Sequence, residues 1–234
     1  MKISPLLEIA VETLEAAQAA QRAGAHRIEL CGNLDVGGVT PSAAVLNAAR
    51  KQLHIPFFAM IRPRAGNFVY SAAEFAEMKA SIAAAKSAGA QGIVLGTLTQ
   101  DARVDIERTR ELVSLAKPLP VTFHRAFDET KNLPRALEEV IQTGATRILT
   151  SGAARTAFEG MKTIAELVTV AAGRITIVPG AGISPENISQ IAVTTRASEF
   201  HAGLSSLLPY PRTDFAAFER GVRDLVEKLR SVST

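Results

Sequence analysis

RAGAHRIEL (22–30) recurs with small changes as SAGAQGIVL (87–95) and QTGATRILT (142–150). Each version holds the end of an Ala- or Leu-rich amphipathic stretch, then Gly-Ala, then a short apolar run. A glycine just past a helix suits the left-handed C-terminal cap, so Gly24, Gly89 and Gly144 mark helix-to-strand turns. They lie 65 and 55 residues apart, which is two β-α units each time. They introduce the second, fourth and sixth apolar runs, whereas the third and fifth enter through Pro56 and Pro120.

Outward from these repeats, the same alternation fills the chain. Strands are expected at Leu6–Val11, Arg27–Cys31, Pro56–Arg62, Gly92–Gly96, Pro120–Arg125, Arg147–Ser151, Arg174–Pro179 and Ser198–His201. Helical periodicity runs over roughly 13–23, 42–53, 72–87, 105–116, 132–143, 156–171, 185–193 and 214–231. Ser71-Ala-Ala-Glu74 has capping-box spacing. Thr40-Pro41 and Ser184-Pro185 place a cap-type residue before a proline. Alternating strands and helices imply parallel pairing with crossover helices. No Gly/Ser/Pro-rich linker divides the 234 residues. Eight such units in one domain predict an α/β fold, a single-domain (β/α)8 TIM barrel, with an open doubly wound sheet as the alternative.

Composition narrows the function. Hydrophobic residues make up 47%, enough for a packed core. A net charge of +3, from 26 basic and 23 acidic residues, argues against nucleic acid as a partner. No apolar run approaches the ~18 residues of a membrane span. Glu8 and Glu12 break the N-terminal apolar stretch, which makes it a poor signal peptide. Cys31 has no second cysteine to pair with, so a reducing compartment is expected, and with it a cytoplasmic location.

In a barrel of this kind, chemistry sits at the C-terminal ends of the strands. Side chains alternate along a strand, so one parity faces the interior. By that rule Glu8, Glu29, Cys31, Met60, Arg62, Thr122, His124, Glu199 and His201 point inward, with Arg125 and Asp128 at the rim of the fifth strand. Glu8, Glu29, Arg62, His124, Glu199 and His201 are expected to converge on one end of the barrel. A charge buried alone costs several kcal/mol, so convergence implies either pairing or a polar pocket for a small ligand. The small loops TSGAA (150–154) and PGAG (179–182), with Gly203, form a candidate anion site through Ser151, Gly180, Gly182 and Gly203. Plainer readings stay open. His124 could be a satisfied buried histidine, Arg125 and Asp128 a loop-fastening ion pair, and Glu8, Glu29 and Arg62 a structural plug. Cys31 could be a small buried hydrophobe, and Met60 packing.

ELCGNLDVGGVTPS (29–42), MIRPRAGNFVYS (60–71), PVTFHRAFD (120–128), RILTSGA (147–153) and EFHAG (199–203) together resemble the CutC family of copper homeostasis proteins. The resemblance covers nearly the whole chain. It implies a (β/α)8 barrel, a cytoplasmic location, homodimers or higher homo-oligomers, and copper handling with Cys31 as the proposed ligand, assisted by His201 or His124. One cysteine supplies one thiolate, whereas Cu(I) prefers two or three soft ligands. Two functions follow. One is copper binding or handling. The other is an enzyme acting on a small anionic metabolite, in which His124, Glu8 or Glu29 moves protons and Arg62 and Arg125 clamp a carboxylate or phosphate.

Overall fold

The structure is a computed structural model and describes residues 5–203 and 215–232. Eight strands alternate with eight helices. The strands are β1 (Leu6–Val11), β2 (Arg27–Leu30), β3 (Phe57–Met60), β4 (Gly92–Leu95), β5 (Val121–Phe123), β6 (Arg147–Thr150), β7 (Thr176–Pro179) and β8 (Glu199–Ala202). The helices are α1 (Leu14–Arg22), α2 (Ala43–Gln52), α3 (Ala72–Ser87), α4 (Ile106–Ala116), α5 (Leu133–Thr143), α6 (Met161–Ala171), α7 (Ile188–Thr195) and α8 (Ala216–Val232). All ladders are parallel, in the order β7-β6-β5-β4-β3-β2-β1-β8. β7 and β8 lie side by side across the remaining seam, so the sheet is a nearly closed TIM barrel. Residue 214, expected to begin the last helix, lies outside the described residues.

The repeat signal identified the turns correctly. Gly24, Gly89 and Gly144 adopt φ of 95°, 82° and 85°. The Ser71 capping box forms in full, and α3 begins where it predicts. One other cap and two other helix starts differ. Ser42 caps α2, because Thr40 is drawn to the end of β3: its hydroxyl accepts from Arg62 N–H and its N–H donates to Arg62 C=O. α6 begins at Met161, not near 156, because Ala157 N–H is taken by Ala181 C=O from the neighbouring loop. α7 begins at Ile188, because Asn187 folds back to accept from Ser184 N–H and donate to Gly182 C=O. The Ser184-Pro185 pair therefore lies in a turn and not at a helix start.

Two apolar clusters lie on opposite faces of the sheet. The large one packs the outward residues of the strands, such as Leu7, Ile9, Ile28, Phe57, Ile93, Phe123 and Phe200, against the helices. The small one, Cys31, Phe58, Met60 and Val94, fills part of the barrel interior. This is the parity expected from strand alternation.

Much of the rest of the interior is charged. Arg27 is 3% exposed, at the N-terminal end of β2. Its guanidinium donates to Glu8 Oε2 at 2.5 Å and to Glu199 Oε2 at 2.7 Å, and Arg147 Nε donates to the same Glu199 oxygen at 3.0 Å. Both guanidinium groups stack on Phe58, 4.5 and 5.2 Å from its centroid. Gly92 leaves room for that ring, since a Cβ there would come within 2.4 Å of it. Breaking one member of such a buried set leaves uncompensated charge, at a cost of roughly 3–5 kcal/mol. Arg27→Met is expected to lose that much in urea unfolding and to recover part of it in a Glu8→Gln background. A loss under about 1 kcal/mol would show that the network is not what seals the barrel floor.

Candidate functional site

The C-terminal ends of the strands surround a cavity of about 490 Å³. Of the residues singled out from sequence, Glu29, Arg62, His124, Arg125, His201, Gly182 and Gly203 line it. Met60, Phe68, Leu34 and Ala181 complete much of the wall. Glu199 is not at this end. It is the first residue of β8 and lies in the lower layer between Arg27 and Arg147, because a four-residue strand carries two inward positions at different depths.

Glu8 sits one layer below the cavity and joins the two levels. Its Oε2 is held by Arg27, and its Oε1 meets His201 Nδ1 at 2.7 Å. Burial pushes the Glu8 carboxyl up, but the His201 hydrogen bond and the charge of Arg27 outweigh it and bring the group to about 2. His201 moves the other way. Burial lowers its pKa, but Glu29 and Glu8 more than compensate, and it ends above its usual value. Glu29 is raised, first by burial and then by the Glu8 charge. One carboxylate is thus held ionised while its neighbour is pushed towards the acid form.

His124 is the N-cap of a short 3-10 turn, Arg125–Glu129. Its Nδ1 accepts from Ala126 N–H at 3.2 Å. In the neutral ring the proton therefore sits on Nε2, which has no partner. Burial and the charge of Arg62 bring its pKa down to about 3, so the ring is a neutral donor. Gly96 makes space for it, since a Cβ there would come within 2.6 Å of the ring. Phe68 covers both groups, with its ring centroid 4.8 Å from that of His124 and 4.8 Å from Arg62 Cζ.

Arg62 is largely committed to structure. Nη1 donates to the carbonyls of Val36 and Gly38, and Nη2 to that of Gly66. Only Nε is left without a partner. Arg125 and Asp128 match the plainer sequence reading. Arg125 pairs with Asp128 at 2.9 Å and donates to Ser151 Oγ at 3.0 Å. Asp128 accepts from Thr150 and Ser151 hydroxyls and from the N–H groups of Ser151 and Ala153. This fastens the loop after β6 to the end of β5. Ser151 is fully buried, with its hydroxyl spent on this node, and Gly180 N–H goes to Thr150 C=O, so neither serves an anion. The free donors lie beside them. Among the described residues, the N–H groups of Ala181, Gly182 and Gly203 have no hydrogen-bond partner. Ala181 and Gly182 take φ of 78° and 64°, and for alanine this conformation is strained.

Cys31 is 1% exposed and does not line the cavity. Its Sγ donates to Glu29 Oε1 at 3.2 Å. Burial, then the Glu29 charge, pushes the thiol well above its ordinary value. Its soft neighbour is Met60, in the same interior cluster. One protonated thiol beside one thioether does not form a ready Cu(I) site within the chain.

The CutC family model matches residues 5–206. The chain belongs to the CutC family. A CutC family protein from Chromobacterium violaceum is 44% identical over 232 residues, covering 97% of this chain and 94% of that one. The human relative, named copper homeostasis protein cutC homolog, is 46% identical over 201 residues, 86% of this chain and 74% of its own. The crystal structure of CutC from Streptococcus agalactiae superposes with a TM-score of 0.81 at 36% identity, covering 85% of this chain and 98% of that one. N-(5'-phosphoribosyl)anthranilate isomerase from Pyrococcus furiosus has a TM-score of 0.64 at 16% identity over 97% of this chain and 99% of its own, a likeness of fold alone. Among the described residues of this CutC chain, no helix is long and apolar enough to cross a membrane.

The buried groups set the pH response. His124 has an ordinary value of 6.5 and a folded one of about 3. Between these the unfolded state holds the extra proton, so stability falls as pH falls through that window. Glu8 adds the same sign lower down, between 4.5 and about 2. His201, raised in the fold, contributes stability below 6.5 that is lost as pH rises through its folded value. His124→Asn keeps an acceptor for Ala126 N–H and removes the titrating ring. Urea unfolding at stepped pH is expected to show a slope flatter by up to about 1.4 kcal/mol per pH unit in the His124 window. An unchanged slope would mean that His124 is already protonated in the fold.

Proposed function

We propose that this CutC chain is an enzyme that binds a small anionic, carbonyl-bearing metabolite at the barrel mouth and moves a proton on it. The observation that carries this reading is the set of unpartnered buried polar atoms on residues lining the cavity: His124 Nε2, Arg62 Nε and Glu29 Oε2. Each costs ~1–3 kcal/mol while unpaired, which a structural plug has no reason to bear. The neutral His124 donor suits a carbonyl oxygen, and Glu29, whose pKa burial raises, suits proton transfer. Arg62 Nε and the N–H groups of Ala181, Gly182 and Gly203 suit the charged end of the ligand. Among the described residues no lysine lines the cavity, which disfavours Schiff-base chemistry.

Copper handling is the second reading, favoured by the names of the human and mouse relatives and by the placement of Cys31 and Met60 in one interior cluster. Copper homeostasis describes a cellular role, and it is compatible with an enzymatic activity at the mouth. A cytoplasmic location fits the lone cysteine. A homo-oligomer would cover Val170 and Val193, which are 51% and 64% exposed on the adjacent helices α6 and α7.

Both readings are testable. Incubated in D2O with a panel of 2-oxo acids and phosphorylated ketoses, wild type is expected to exchange a carbon-bound proton of at least one compound, followed by proton NMR. Glu29→Gln should slow that exchange by about 10²–10⁴-fold. If no compound exchanges and none raises the melting temperature, the enzymatic reading falls. For copper, anaerobic Cu(I) competition titrations of wild type and Cys31→Ala are expected to be equally weak. Tight binding lost in the variant would restore Cys31 as a ligand.

A further inference from the structure

At the cavity floor, Glu8, Glu29 and His201 each bring one donor atom within 4.8 Å of the others. They are 1%, 2% and 8% exposed. The contacts among them are unequal. Glu8 Oε1 reaches His201 Nδ1 at 2.7 Å, whereas Glu29 Oε2 stops 4.0 Å from the same nitrogen and has no hydrogen-bond partner. That gap is too long for a hydrogen bond. It falls within the roughly 3–4 Å that separates two ligands of one ion when each bond is ~2.0–2.2 Å.

We propose that Glu8, Glu29 and His201 bind one divalent first-row transition-metal ion between β1, β2 and β8. Two carboxylates and an imidazole make a hard-to-borderline donor set with no sulfur, which suits Mn²⁺ or Zn²⁺ and not Cu(I). The supporting contacts are already in place, as they are around established metal sites. Arg27 fixes the second oxygen of Glu8, Glu199 in turn holds Arg27, and Cys31 donates to the second oxygen of Glu29. Each carboxylate thus keeps one oxygen for support and one for the ion. The three strands are neighbours, and the register sets Glu8 beside His201 and Ala10 beside Glu29. Glu29 and His201 line the cavity, which gives an ion a way in. The site does not depend on the enzymatic reading: the ion binds whether or not the mouth accepts a metabolite.

The test is Mn²⁺ titration of the full chain, stripped with EDTA and dialysed, read by electron paramagnetic resonance with Zn²⁺ as competitor. One saturable ion per chain is expected, displaced by Zn²⁺, at least tenfold weaker in Glu29→Gln, weakened less in Cys31→Ala, which loses only a supporting contact, and unchanged in His54→Gln on the exposed surface. Mn²⁺ should also broaden the ring signals of His201 in wild type well before those of His26 and His54, a readout that needs no folded variant. Absence of saturable binding, binding that Glu29→Gln leaves intact, or broadening that spares His201 would each overturn the site.

Discussion

The structure depends on one buried cation, Arg27. A (β/α)8 barrel this short fills its interior with only two or three inward residues per strand, and here the lowest layer is ionic. Arg27 takes one carboxylate from β1 and one from β8, and Arg147 shares the second. Fixing Glu8 in this way has consequences above it. The ionised Glu8 holds His201, and the Glu8 charge helps push Glu29 towards its acid form. The protonation pattern of the site is therefore set from beneath, by a residue that does not reach the cavity. A hydrophobic floor of equal volume would serve stability as well or better, so the ionic floor is better explained by the groups it poises.

Polar groups near the mouth divide by what already holds them. Asp128 and the fork of Arg62 are consumed by backbone and hydroxyl partners, and their work is to tie loops to strand ends. Arg64 does the same for the loop after β3, donating to Glu74, Ala65, Asn67 and Val69. A rigid frame of this kind lets a few atoms stay unsatisfied. Of the five such buried side-chain atoms among the described residues, three, on Glu29, Arg62 and His124, belong to the cavity wall, and the other two are Tyr70 Oη and Thr122 Oγ1. Charge alone does not mark a functional group here. An empty hydrogen-bonding valence that also faces the cavity is the more selective sign.

Much of the fold was legible because it rests on local rules. The Gly-Ala repeats fix the turns by φ, and strand parity sorted inner from outer residues correctly in every strand where it was applied. Depth was not legible. Parity places Glu199 and His201 on the same face but says nothing of the layer, and the layer separates a floor residue from a site residue. Arg27 and Arg147 were missed although they share parity with Glu29 and Leu149, two residues further on. Following each strand back to its first residue would have found both. Phe68, which covers His124 and Arg62, lies in a loop where no periodicity operates. The start of α7 failed for a related reason: an Asn187 side chain reaching back to Ser184 and Gly182 outweighed the local preference of Ser-Pro.

The hardness of the donors bears on the family's copper association. A thiol binds Cu(I) only after losing its proton, and two features oppose that loss at Cys31: a dry interior and a carboxylate 3.2 Å away that accepts the S–H. Replacing that proton with a cuprous ion would mean withdrawing Glu29, which also faces His201. The same carboxylate cannot favour the thiol form of Cys31 and make Cys31 a good soft ligand. With Glu29 in place, the interior favours oxygen and nitrogen chemistry. In this chain the sulfur serves that chemistry by steadying Glu29 Oε1 and leaving Oε2 free.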